Sequence, residues 1–520
     1  MPPTPKPFFV AGRAQTSPTV IPVIDKNRGG DAVGICVPGA EAVERAIEAA
    51  AAAAEAMRQM PAYRRHDALI FIARRLRERS EEIAKALVVE VGKPIFDART
   101  EVSRAIDTIR AAAEESPRFG GEFVPLDSSP RGENFEAVVK RVPVGPCTFI
   151  TPFNFPLNLA CHKIGPALAV GCPFILKPDP RTPLSSLILG EVLAEADLPT
   201  GAFSILPVVD DAAREQLIVD DRIRLISFTG STEVGWSIRQ RAPKKKVTLE
   251  LGGVAFCILD APVSRSDLER IADRMCTGAY SLAGQSCISV QRILVHSSVH
   301  EQFLPHLLGK IKSIKVGDPR EETTQMGPMI SVESAERVEH WIEEAKKGGG
   351  RVLAGGQRVG AFVDPTLIEN APASCRLASE EVFGPVATVQ KFDSFDEALG
   401  VVNSTRFGLQ TGVFTASLSH AFRAWNVLDV GAVVINDVPS TRIETMPYGG
   451  VKDSGTGREG VRYAMQEMTE MRALVLKNVG KPRSASSERK GGGDSKPLTD
   501  TKFGGDAKTL ADTRNPGETE

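Results

Sequence analysis

Short apolar segments alternate with helix-forming segments between residues 147 and 228, and this alternation limits the possible folds more than any other feature of the chain. Strand-like runs at Cys147–Ile150, Pro173–Leu176, Ala202–Leu206 and Arg224–Phe228 are separated by stretches long enough for helices. Strands that alternate with helices of about 10–15 residues form βαβ units, which place their strands in one parallel sheet. The alternation therefore predicts an α/β fold.

A second alternating series, from about Val254 to Val438, predicts a second sheet, so we expect two parallel-sheet α/β domains. The chain has 520 residues, which is too long for one ordinary hydrophobic core and agrees with that number. Before both series, the pattern predicts helices at Ala40–Met60, Tyr63–Val91 and Ile95–Glu115. Residues 1–35, rich in Pro and Gly, are expected to be irregular.

The composition argues against several classes of function. A formal net charge of −2 argues against a nucleic acid or an anionic membrane as the main partner. No run of 18 apolar residues is present and the N-terminus does not resemble a signal peptide, so no membrane span is expected. The eight cysteines form no C-x-x-C pair, which argues against a metal site or a disulfide framework and predicts a cytoplasmic location.

The last segment, 481–520, has a different composition from the rest of the chain. Lys and Arg alternate with Asp and Glu, and Phe503 is its one aromatic residue. Such a segment cannot bury enough apolar surface to offset the conformational entropy lost on ordering. We therefore expect a disordered tail, whose composition does not identify a partner.

Two motifs carry residues suited to covalent catalysis. Glu250 lies in the motif LELGG, and Cys287, 37 residues later, ends the motif GQSC. A cysteine thiolate is a strong nucleophile toward an uncharged carbonyl, and a carboxylate can activate the water that hydrolyses the resulting thioester. Each motif alone is weakly specific, because small residues beside a cysteine are common in tight turns. Together they suggest an enzyme that forms and hydrolyses a thioester.

Three further positions suggest where ligands bind. Asn154 lies between a strand and a helix, where its amide can donate to a developing oxyanion, although turn asparagines also satisfy local backbone groups. Lys177 ends a predicted parallel strand and can reach a ribose or phosphate. Gly230 and Ser231 join a strand to a helix, where they can bind a pyrophosphate or simply cap the helix. No G-x-G-x-x-G motif lies nearby.

A fourth motif contains Glu381 and Phe383, two residues apart before a predicted strand. On an extended segment both side chains project to one face, the carboxylate toward a sugar and the ring against a flat ligand. The alternative is an unremarkable Glu-rich loop.

In this order, the motifs resemble those of the NAD(P)-dependent aldehyde dehydrogenases, most similarly the lactaldehyde and glyceraldehyde dehydrogenase-like branch. The matching segments are Pro152–Pro156, Lys177-Pro178, Phe228–Gly235, Glu250–Gly253 with Gly284–Cys287, Glu381–Val386 and Pro447–Gly455. The resemblance covers roughly residues 20–480. It implies the oxidation of an aldehyde to the carboxylic acid with NAD or NADP as cofactor.

The resemblance also implies a domain organisation. Residues 1–123 with 145–253 would form the NAD(P)-binding domain, and residues 254–447 the catalytic domain. Residues 124–144 with 463–480 would form an oligomerisation arm, which implies a homodimer or a homotetramer.

Roles for individual residues follow from the resemblance in the same way. Cys287 would attack the aldehyde, Asn154 would hold the oxyanion and Glu250 would activate water. Glu459 would either relay protons from Glu250 or form a surface ion pair. The implied cofactor-binding residues are Ile150, Thr151, Lys177, Gly230, Ser231, Val234, Leu251, Glu381 and Phe383.

The choice of cofactor depends on the residues after Lys177. Family members that prefer NAD often carry Glu at the position that Pro180 occupies here. A carboxylate that would repel a 2′-phosphate is therefore missing at this position, and Arg181 could pair with one. We expect the enzyme to use both NAD and NADP.

The residues that match the family's substrate pocket are Phe155, Leu159, His162, Ser286, Ile288, Arg442 and Tyr448. Arg442 and His162 are polar, and an arginine can bind a carboxylate, phosphate or hydroxyl through its planar guanidinium. This favours a short aldehyde that is polar or has an anionic end. The alternative is that Arg442 faces solvent and His162 is a satisfied helix residue.

Two other functions remain open at this point. A CoA-acylating semialdehyde dehydrogenase forms the same thioester, but acylating relatives commonly lack the carboxylate that Glu250 provides. A catalytically silent structural or binding protein is disfavoured by the presence of Cys287, Glu250 and Asn154 together.

Overall fold

The computed structural model describes residues 5–479. They fall into two compact units, one made of 5–124 together with 138–474, the other of 125–137 together with 475–479. The predicted disordered tail, 481–520, lies outside the described residues.

Within the described residues, the α-helices lie between strands. The α-helices of the described part are α1 (Ala40–Gln59), α2 (Ala62–Glu78), α3 (Ser80–Val91), α4 (Ile95–Glu115), α5 (Pro156–Val170), α6 (Leu184–Glu195), α7 (Asp211–Val219), α8 (Thr232–Arg241), α9 (Arg265–Tyr280), α10 (Ser297–Lys312), α11 (Val332–Lys347), α12 (Arg376–Ser379), α13 (Phe395–Asn403), α14 (Leu418–Val427) and α15 (Val461–Glu467).

The strands of the described part are β1 (Phe8–Val10), β2 (Arg13–Gln15), β3 (Val20–Ile24), β4 (Asp31–Cys36), β5 (Glu122–Pro125), β6 (Phe135–Pro143), β7 (Cys147–Ile150), β8 (Phe174–Lys177), β9 (Phe203–Ile205), β10 (Leu225–Thr229), β11 (Lys246–Glu250), β12 (Ala255–Leu259), β13 (Val290–His296), β14 (Arg351–Ala354), β15 (Arg358–Val359), β16 (Phe362–Val363), β17 (Thr366–Glu369), β18 (Val386–Phe392), β19 (Phe407–Gly408), β20 (Gln410–Phe414), β21 (Ala432–Ile435), β22 (Val451–Lys452), β23 (Gly455–Thr456) and β24 (Thr469–Lys477).

Two expectations for the N-terminal part are wrong. The segment Tyr63–Val91 forms two helices, because Arg79 between them leaves the helical region with φ −102° and ψ 15°. Its guanidinium pairs with Glu82 and Glu191, contacts that the helical periodicity does not reveal. Residues 1–35 contain β1 to β4 instead of being irregular, since the buried strand Phe8–Val10 joins a sheet.

The first α/β sheet has eight strands in the order β2-β1-β9-β8-β7-β10-β11-β23. Its five central strands, β9, β8, β7, β10 and β11, are parallel to one another. The edge strands β1, β2 and β23 are antiparallel. The register places Ile150 opposite both Lys177 and Phe228, and Thr229 opposite Glu250. Because the carboxyl ends of parallel strands meet at one edge, these residues converge there.

Helix α5 is buried along its whole length. Its sequence is apolar on almost all sides, which is typical of a helix enclosed in a core, and it contacts α2, α4, α6 and α15. The two titratable residues in its middle, His162 and Lys163, are therefore withdrawn from solvent. Buried polar groups of this kind require partners, which the neighbouring helices and loops supply.

The second α/β sheet has seven strands in the order β14-β17-β18-β13-β12-β20-β21. All its neighbouring strands are parallel except β14, which pairs antiparallel with β17. A third, smaller sheet has the strand order β24-β6-β5. The prediction of two parallel-sheet α/β domains with a small β arm is therefore confirmed. Within residues 5–479, no helix combines the length and the apolarity needed to cross a membrane.

Candidate active site

A cavity of 1410 Å³ opens at the carboxyl edge of the first sheet and is also lined by residues of the second α/β sheet's domain. Cys287, Glu250 and Asn154 all line it, although they are far apart in the sequence. Ligand sites in proteins are typically about 300–1,000 Å³, so this cavity has room for a dinucleotide together with a small substrate.

The cavity wall contains most of the residues that the sequence predicts for binding. On the cofactor side it contains Ile150, Thr151, Lys177, Gly230, Ser231, Val234, Leu251, Glu381 and Phe383. On the substrate side it contains Phe155, Leu159, Ser286, Ile288, Arg442 and Tyr448. His162 is fully buried behind this wall and does not line the cavity.

Asn154 is held beside the cysteine loop by three hydrogen bonds. Its Nδ2 donates to the carbonyl oxygen of Gln285 at 2.9 Å, and its Oδ1 accepts from the N–H of Phe155 at 3.1 Å. The ammonium group of Lys93 donates to the main-chain oxygen of Asn154 at 2.8 Å. Because an amide nitrogen has two hydrogens, one donor of Nδ2 remains for a ligand.

Cys287 follows a strained segment of backbone. Leu282 and Ala283 adopt left-handed conformations with φ 52° and 51°, which non-glycine residues rarely adopt. Gly284 follows with φ 68°, and a Cβ there would lie 2.1 Å from the carbonyl oxygen of Gly384. This close approach of two loops requires glycine and places the thiol at the cavity.

The environment of Cys287 disfavours its thiolate overall. Burial, with smaller contributions from the carboxylates of Glu381 and Glu250, raises the pKa of the thiol to about 12. The hydroxyl of Tyr448, 3.1 Å from Sγ, and the charge of Arg442 act in the opposite direction. Cys287 is the partly exposed member of the eight free cysteines, all of which lie among the described residues.

Glu250 ends strand β11 and lies in the cavity wall with neither carboxyl oxygen hydrogen-bonded to another described residue. Burial raises its pKa well above the ordinary value, and the neighbouring carboxylate of Glu459 adds to this effect. Although burial also opposes ionisation of Glu459, Lys163 and Arg442 hold its pKa low. Their nitrogens lie 2.7 Å and 2.9 Å from its oxygens.

These values explain how two buried carboxyl groups coexist. Glu459 keeps its charge because it forms ion pairs with both Lys163 and Arg442. Its negative charge then favours the protonated form of Glu250. Glu459 is 2% exposed, so the alternative that it forms a surface ion pair is wrong.

The cofactor side differs in detail from the expected arrangement. The N–H of Gly230 already donates to the carbonyl oxygen of Glu250 at 3.1 Å, so it is not free for a pyrophosphate. Phe383 has a left-handed backbone with φ 46°, so the segment around it is not extended as expected. Its ring contacts Phe153 edge-on, with centroids 5.7 Å apart.

Glu381 is fixed against the loop that follows Glu250. Its Oε1 accepts from the N–H of Gly253 at 3.0 Å, and burial raises its pKa to about 7. A Cβ on Gly252 would lie 2.4 Å from the other oxygen of Glu381, so a side chain at this position would displace the carboxylate. The glycines of LELGG therefore bring this carboxylate close to the backbone beside Glu250.

Positive charge is concentrated where β8 ends. Burial lowers the pKa of Lys177 to about 8, and nearby Arg214 and Arg181 also lower it. Arg181 is paired with Asp179, with Nε–Oδ1 and Nη2–Oδ2 distances of 2.9 Å and 2.6 Å. Arg214, on α7, lines the cavity but belongs to no motif, so the sequence analysis missed it.

On the substrate side, His162 binds a carboxylate instead of facing the cavity. Its Nε2 lies 2.5 Å from one oxygen of Glu444, and burial together with the charge of Arg442 lowers its pKa. The other oxygen of Glu444 accepts from Arg104 Nε at 2.6 Å. Although burial opposes ionisation, His162 and Arg104 hold the pKa of Glu444 at about 2.

Two arginines line the substrate side of the cavity. Arg442 is 6% exposed, so the alternative that it faces solvent is wrong, and its guanidinium lies 3.8 Å from the centroid of the Tyr448 ring. Arg104 projects from α4 and is 30% exposed. Sequence reasoning missed Arg104 and its partner Glu444, because neither belongs to a motif and 340 residues separate them.

Comparisons with known proteins agree with this geometry. The aldehyde dehydrogenase family model matches residues 13–474. A 3-sulfolactaldehyde dehydrogenase of Priestia megaterium is 41% identical over 470 residues, which are 90% of this chain and 97% of the relative.

Two solved structures are also similar. Aldehyde dehydrogenase 21 of Physcomitrella patens, in complex with the reaction product succinate, has a TM-score of 0.90 and 46% identity, covering 92% of this chain and 100% of that one. A glyceraldehyde-3-phosphate dehydrogenase of Methanocaldococcus jannaschii, complexed with NADP, has a TM-score of 0.83 and 36% identity, covering 88% and 99%. The chain therefore belongs to the aldehyde dehydrogenase family and is an NAD(P)-dependent oxidoreductase.

Proposed function

We propose that this enzyme oxidises a short aldehyde with an anionic end to the carboxylic acid, through a thiohemiacetal and a thioester on Cys287. The observation that carries the proposal is that Arg104 and Arg442 line the same cavity as Cys287. An aldehyde with a carboxylate or sulfonate a few bonds from its carbonyl carbon can contact the thiol and an arginine together.

Arg104 is the more available of the two cations. Glu444 holds its Nε side, and His162 holds the other oxygen of Glu444, so the carboxylate cannot swing away. Among the described residues, Nη2 of Arg104 makes only a long hydrogen bond, 3.5 Å, to the main-chain oxygen of Arg442, so Nη1 and Nη2 can bind a planar carboxylate or a sulfonate. Arg442 has an Nε that is buried without a hydrogen-bond partner among the described residues, so the protein does not satisfy all the donors of this guanidinium.

The charge of the network supports an anionic substrate. Three cations, Arg104, Lys163 and Arg442, are paired with two carboxylates, Glu444 and Glu459. While Glu250, whose raised pKa favours the protonated form, is neutral, one positive charge is left over, and in a partly buried site it attracts an anion more strongly than at a fully exposed surface. The relatives fit this chemistry, since 3-sulfolactaldehyde carries a sulfonate and succinate carries a second carboxylate.

The residues of the chain divide the reaction between them. Cys287 forms the bond to the carbonyl carbon, and the free amide hydrogen of Asn154 stabilises the oxyanion. When bound, the nicotinamide supplies the hydride acceptor. Glu250 then acts as general base for the water that hydrolyses the thioester, because its carboxyl oxygens have no hydrogen-bond partner among the described residues and its raised pKa makes its ionised form a stronger base.

NAD or NADP fits the cofactor side of the cavity. Val234 and Leu251 supply apolar wall, and Glu381 is aimed beside the backbone of LELGG. We expect both cofactors to be used, because Pro180 adds no carboxylate and Lys177 with Arg214 can meet a 2′-phosphate. We assign cofactor binding to a domain of residues 1–123 with 145–253, and the catalytic thiol to a domain of residues 254–447.

Oligomerisation through the arm, residues 124–144 with 463–480, is part of the proposal. Strand β24 is at the end of its sheet and exposes Met471, Leu474 and Val475, which would favour aggregation in a free edge strand unless a second copy covers it. A homodimer or homotetramer is expected, and light scattering would measure its mass. The eight free cysteines support a cytoplasmic location, which cell fractionation would test.

The alternatives receive less support. A CoA-acylating enzyme does not need a general base, yet Glu250 lies in the same cavity as Cys287. A silent protein does not need Cys287, Asn154 and Glu250 assembled around one cavity. Adding CoA to the reaction separates the first alternative, because an acylating enzyme would release the acyl-CoA in place of the acid.

Initial rates of nicotinamide reduction test the proposal. Succinic semialdehyde and 3-sulfolactaldehyde should be preferred over lactaldehyde, and lactaldehyde over propanal and benzaldehyde, with both NAD and NADP. Arg104→Met should lower kcat/KM for the anionic aldehydes by about tenfold or more and leave propanal little changed. Arg110→Met is the matched control, since Arg110 is an exposed arginine of the same helix.

A preference for propanal or benzaldehyde would overturn the anionic-substrate proposal. The same conclusion would follow if Arg104→Met reduced the rates with all five aldehydes equally, because Arg104 would then support the fold instead of the substrate.

A further inference from the structure

Tyr448 makes a direct contact with the nucleophile that the family resemblance does not explain. Its Oη lies 3.1 Å from Sγ of Cys287, and the side chain is 3% exposed. Among the described residues, Cys287 is the hydrogen-bond partner of this hydroxyl. A phenylalanine would fill the same apolar position, beside Ile288 and Leu409, without making this contact.

The backbone around Tyr448 is rigid. Its N–H donates to the carbonyl oxygen of Glu459 at 3.0 Å, and the N–H of Glu459 donates back at 2.7 Å. The following residue, Gly449, has φ 154°, and a Cβ there would lie 2.8 Å from Glu250. A closed pair of main-chain hydrogen bonds therefore fixes the backbone from which the hydroxyl reaches the sulfur.

The ring of Tyr448 is also held by a cation. The guanidinium of Arg442 lies 3.8 Å from the ring centroid, and its Nη2 donates to a carboxylate oxygen of Glu459 at 2.9 Å. A cation over a phenol ring withdraws electron density and makes the hydroxyl a better hydrogen-bond donor. Arg442 thus acts on the thiol through the ring as well as through its own charge.

We infer that Tyr448 is a catalytic residue, whose hydroxyl donates a hydrogen bond to the thiolate of Cys287 before the attack on the aldehyde. Only the hydroxyl can be the donor in this state, because a thiolate has no proton to give. The proton of the thiol leaves to solvent or to a base, and the phenol keeps its own. When the carbon–sulfur bond forms, the charge moves to the carbonyl oxygen and the hydrogen bond weakens.

The other charges around Cys287 make this donor necessary. Glu381 and Glu250 oppose the thiolate, as does burial, whereas Tyr448 and Arg442 favour it. A hydrogen bond to a charged group is about twice as strong as a neutral one, so losing the hydroxyl has a measurable effect on the thiolate population.

The test is the rate of Cys287 alkylation by iodoacetamide as a function of pH, in the full-length enzyme without aldehyde or cofactor. The other seven cysteines are buried, and a Cys287→Ser variant gives the background rate. Tyr448→Phe should lower the rate by about tenfold near neutral pH and shift the profile to higher pH. The rate should stay below that of the wild type by a constant factor throughout the pH range in which the enzyme is folded, because the raised pKa of the thiol lies above that range.

Tyr280→Phe is the matched control. Tyr280 is also buried, and its hydroxyl donates to a main-chain oxygen at 2.9 Å, so this variant loses a buried hydroxyl without touching Cys287. Its alkylation profile should match that of the wild type. Because the assay needs no substrate, it distinguishes a failure of this inference from a failure of the proposed substrate class.

An unchanged profile in Tyr448→Phe would overturn the inference. Faster alkylation in Tyr448→Phe would overturn it as well, since the hydroxyl would then block the thiol instead of stabilising its ionised form.

Discussion

The ion pair of Lys93 and Glu101 joins the helical N-terminal region to the loop that carries Asn154. Both side chains are fully buried. Lys93 also donates to the main-chain oxygen of Asn154 and lies 4.3 Å from the ring centroid of Phe155. The perturbation is Lys93→Met, which keeps most of the side-chain volume and removes the charge.

The size of the loss in stability depends on the hydrogen bonds that Glu101 retains in the variant. Removing one partner of a buried pair costs about 3–5 kcal/mol, because the other charge stays buried without compensation. Glu101 still accepts from the N–H groups of Leu157 and Asn158, at 3.0 Å and 3.1 Å, and faces the positive end of α5. We therefore expect the lower limit, about 3 kcal/mol, which corresponds to a fall in Tm of roughly 6–12 °C for a domain of this size.

The assay is scanning calorimetry at fixed protein concentration, combined with steady-state kinetics. Lys93→Met should also lower kcat, because the peptide of Asn154 loses the group that holds its oxygen. Lys85→Met, at an exposed lysine on α3, is the control and should leave Tm within about 1 °C. The double variant Lys93→Met with Glu101→Gln should be less destabilised than the sum of the single variants, since no unpaired charge remains.

A fall in Tm of less than about 2 °C for Lys93→Met would refute this reasoning, because the buried pair would then contribute no more than a surface one. A double variant as unstable as the sum of the two single ones would refute it as well, since the effect would then not be electrostatic.

Three further predictions concern other parts of the molecule. Glu250→Gln should keep a first turnover of nicotinamide reduction in stopped-flow experiments. Its steady-state rate should fall by about 10²–10⁴-fold, because thioester hydrolysis loses its base. Loss of the first turnover would assign Glu250 another role. Burial raises the pKa of Glu90 to about 7 from its ordinary 4.5, so between these values the folded state holds a proton that the unfolded state releases, and the stability contributed by this group falls as pH rises. In Glu90→Gln the decline of Tm between pH 5 and 7 should therefore be smaller than in the wild type. An equal decline would contradict the assignment. Asp179→Ala should free Arg181 for a 2′-phosphate and raise the ratio of kcat/KM with NADP to that with NAD by about tenfold, measured by initial rates; an unchanged ratio would remove Arg181 from the cofactor site.

The general architecture could be predicted from the sequence because it depends on local pattern. The alternation of apolar strands with helices predicts parallel sheets, and a parallel sheet brings the carboxyl ends of its strands to one edge. The helix at Ile95–Glu115 has the predicted bounds, since a long amphipathic period defines it. The break at Arg79 and the strand Phe8–Val10 could not be predicted, because tertiary pairing stabilises both.

The same division applies to the candidate site. The residues in contiguous motifs, such as Cys287 in GQSC and Glu250 in LELGG, could be identified because neighbouring glycines and small residues mark the close approach of backbone. His162 was expected in the cavity wall, but the packing of α5 turns it to Glu444.

The sequence by itself determined the two α/β sheets, the nucleophile motif and the residue types available for catalysis. Only the tertiary structure decided which charges meet. Arg104 pairs with Glu444, which is 340 positions away in the sequence. Glu459 forms ion pairs with Lys163 and Arg442, so Glu250 has no cation as a direct partner among the described residues. Local periodicity reports which face of an element is buried, whereas the pKa of a buried group depends on the charges that distant elements bring within a few ångströms of it.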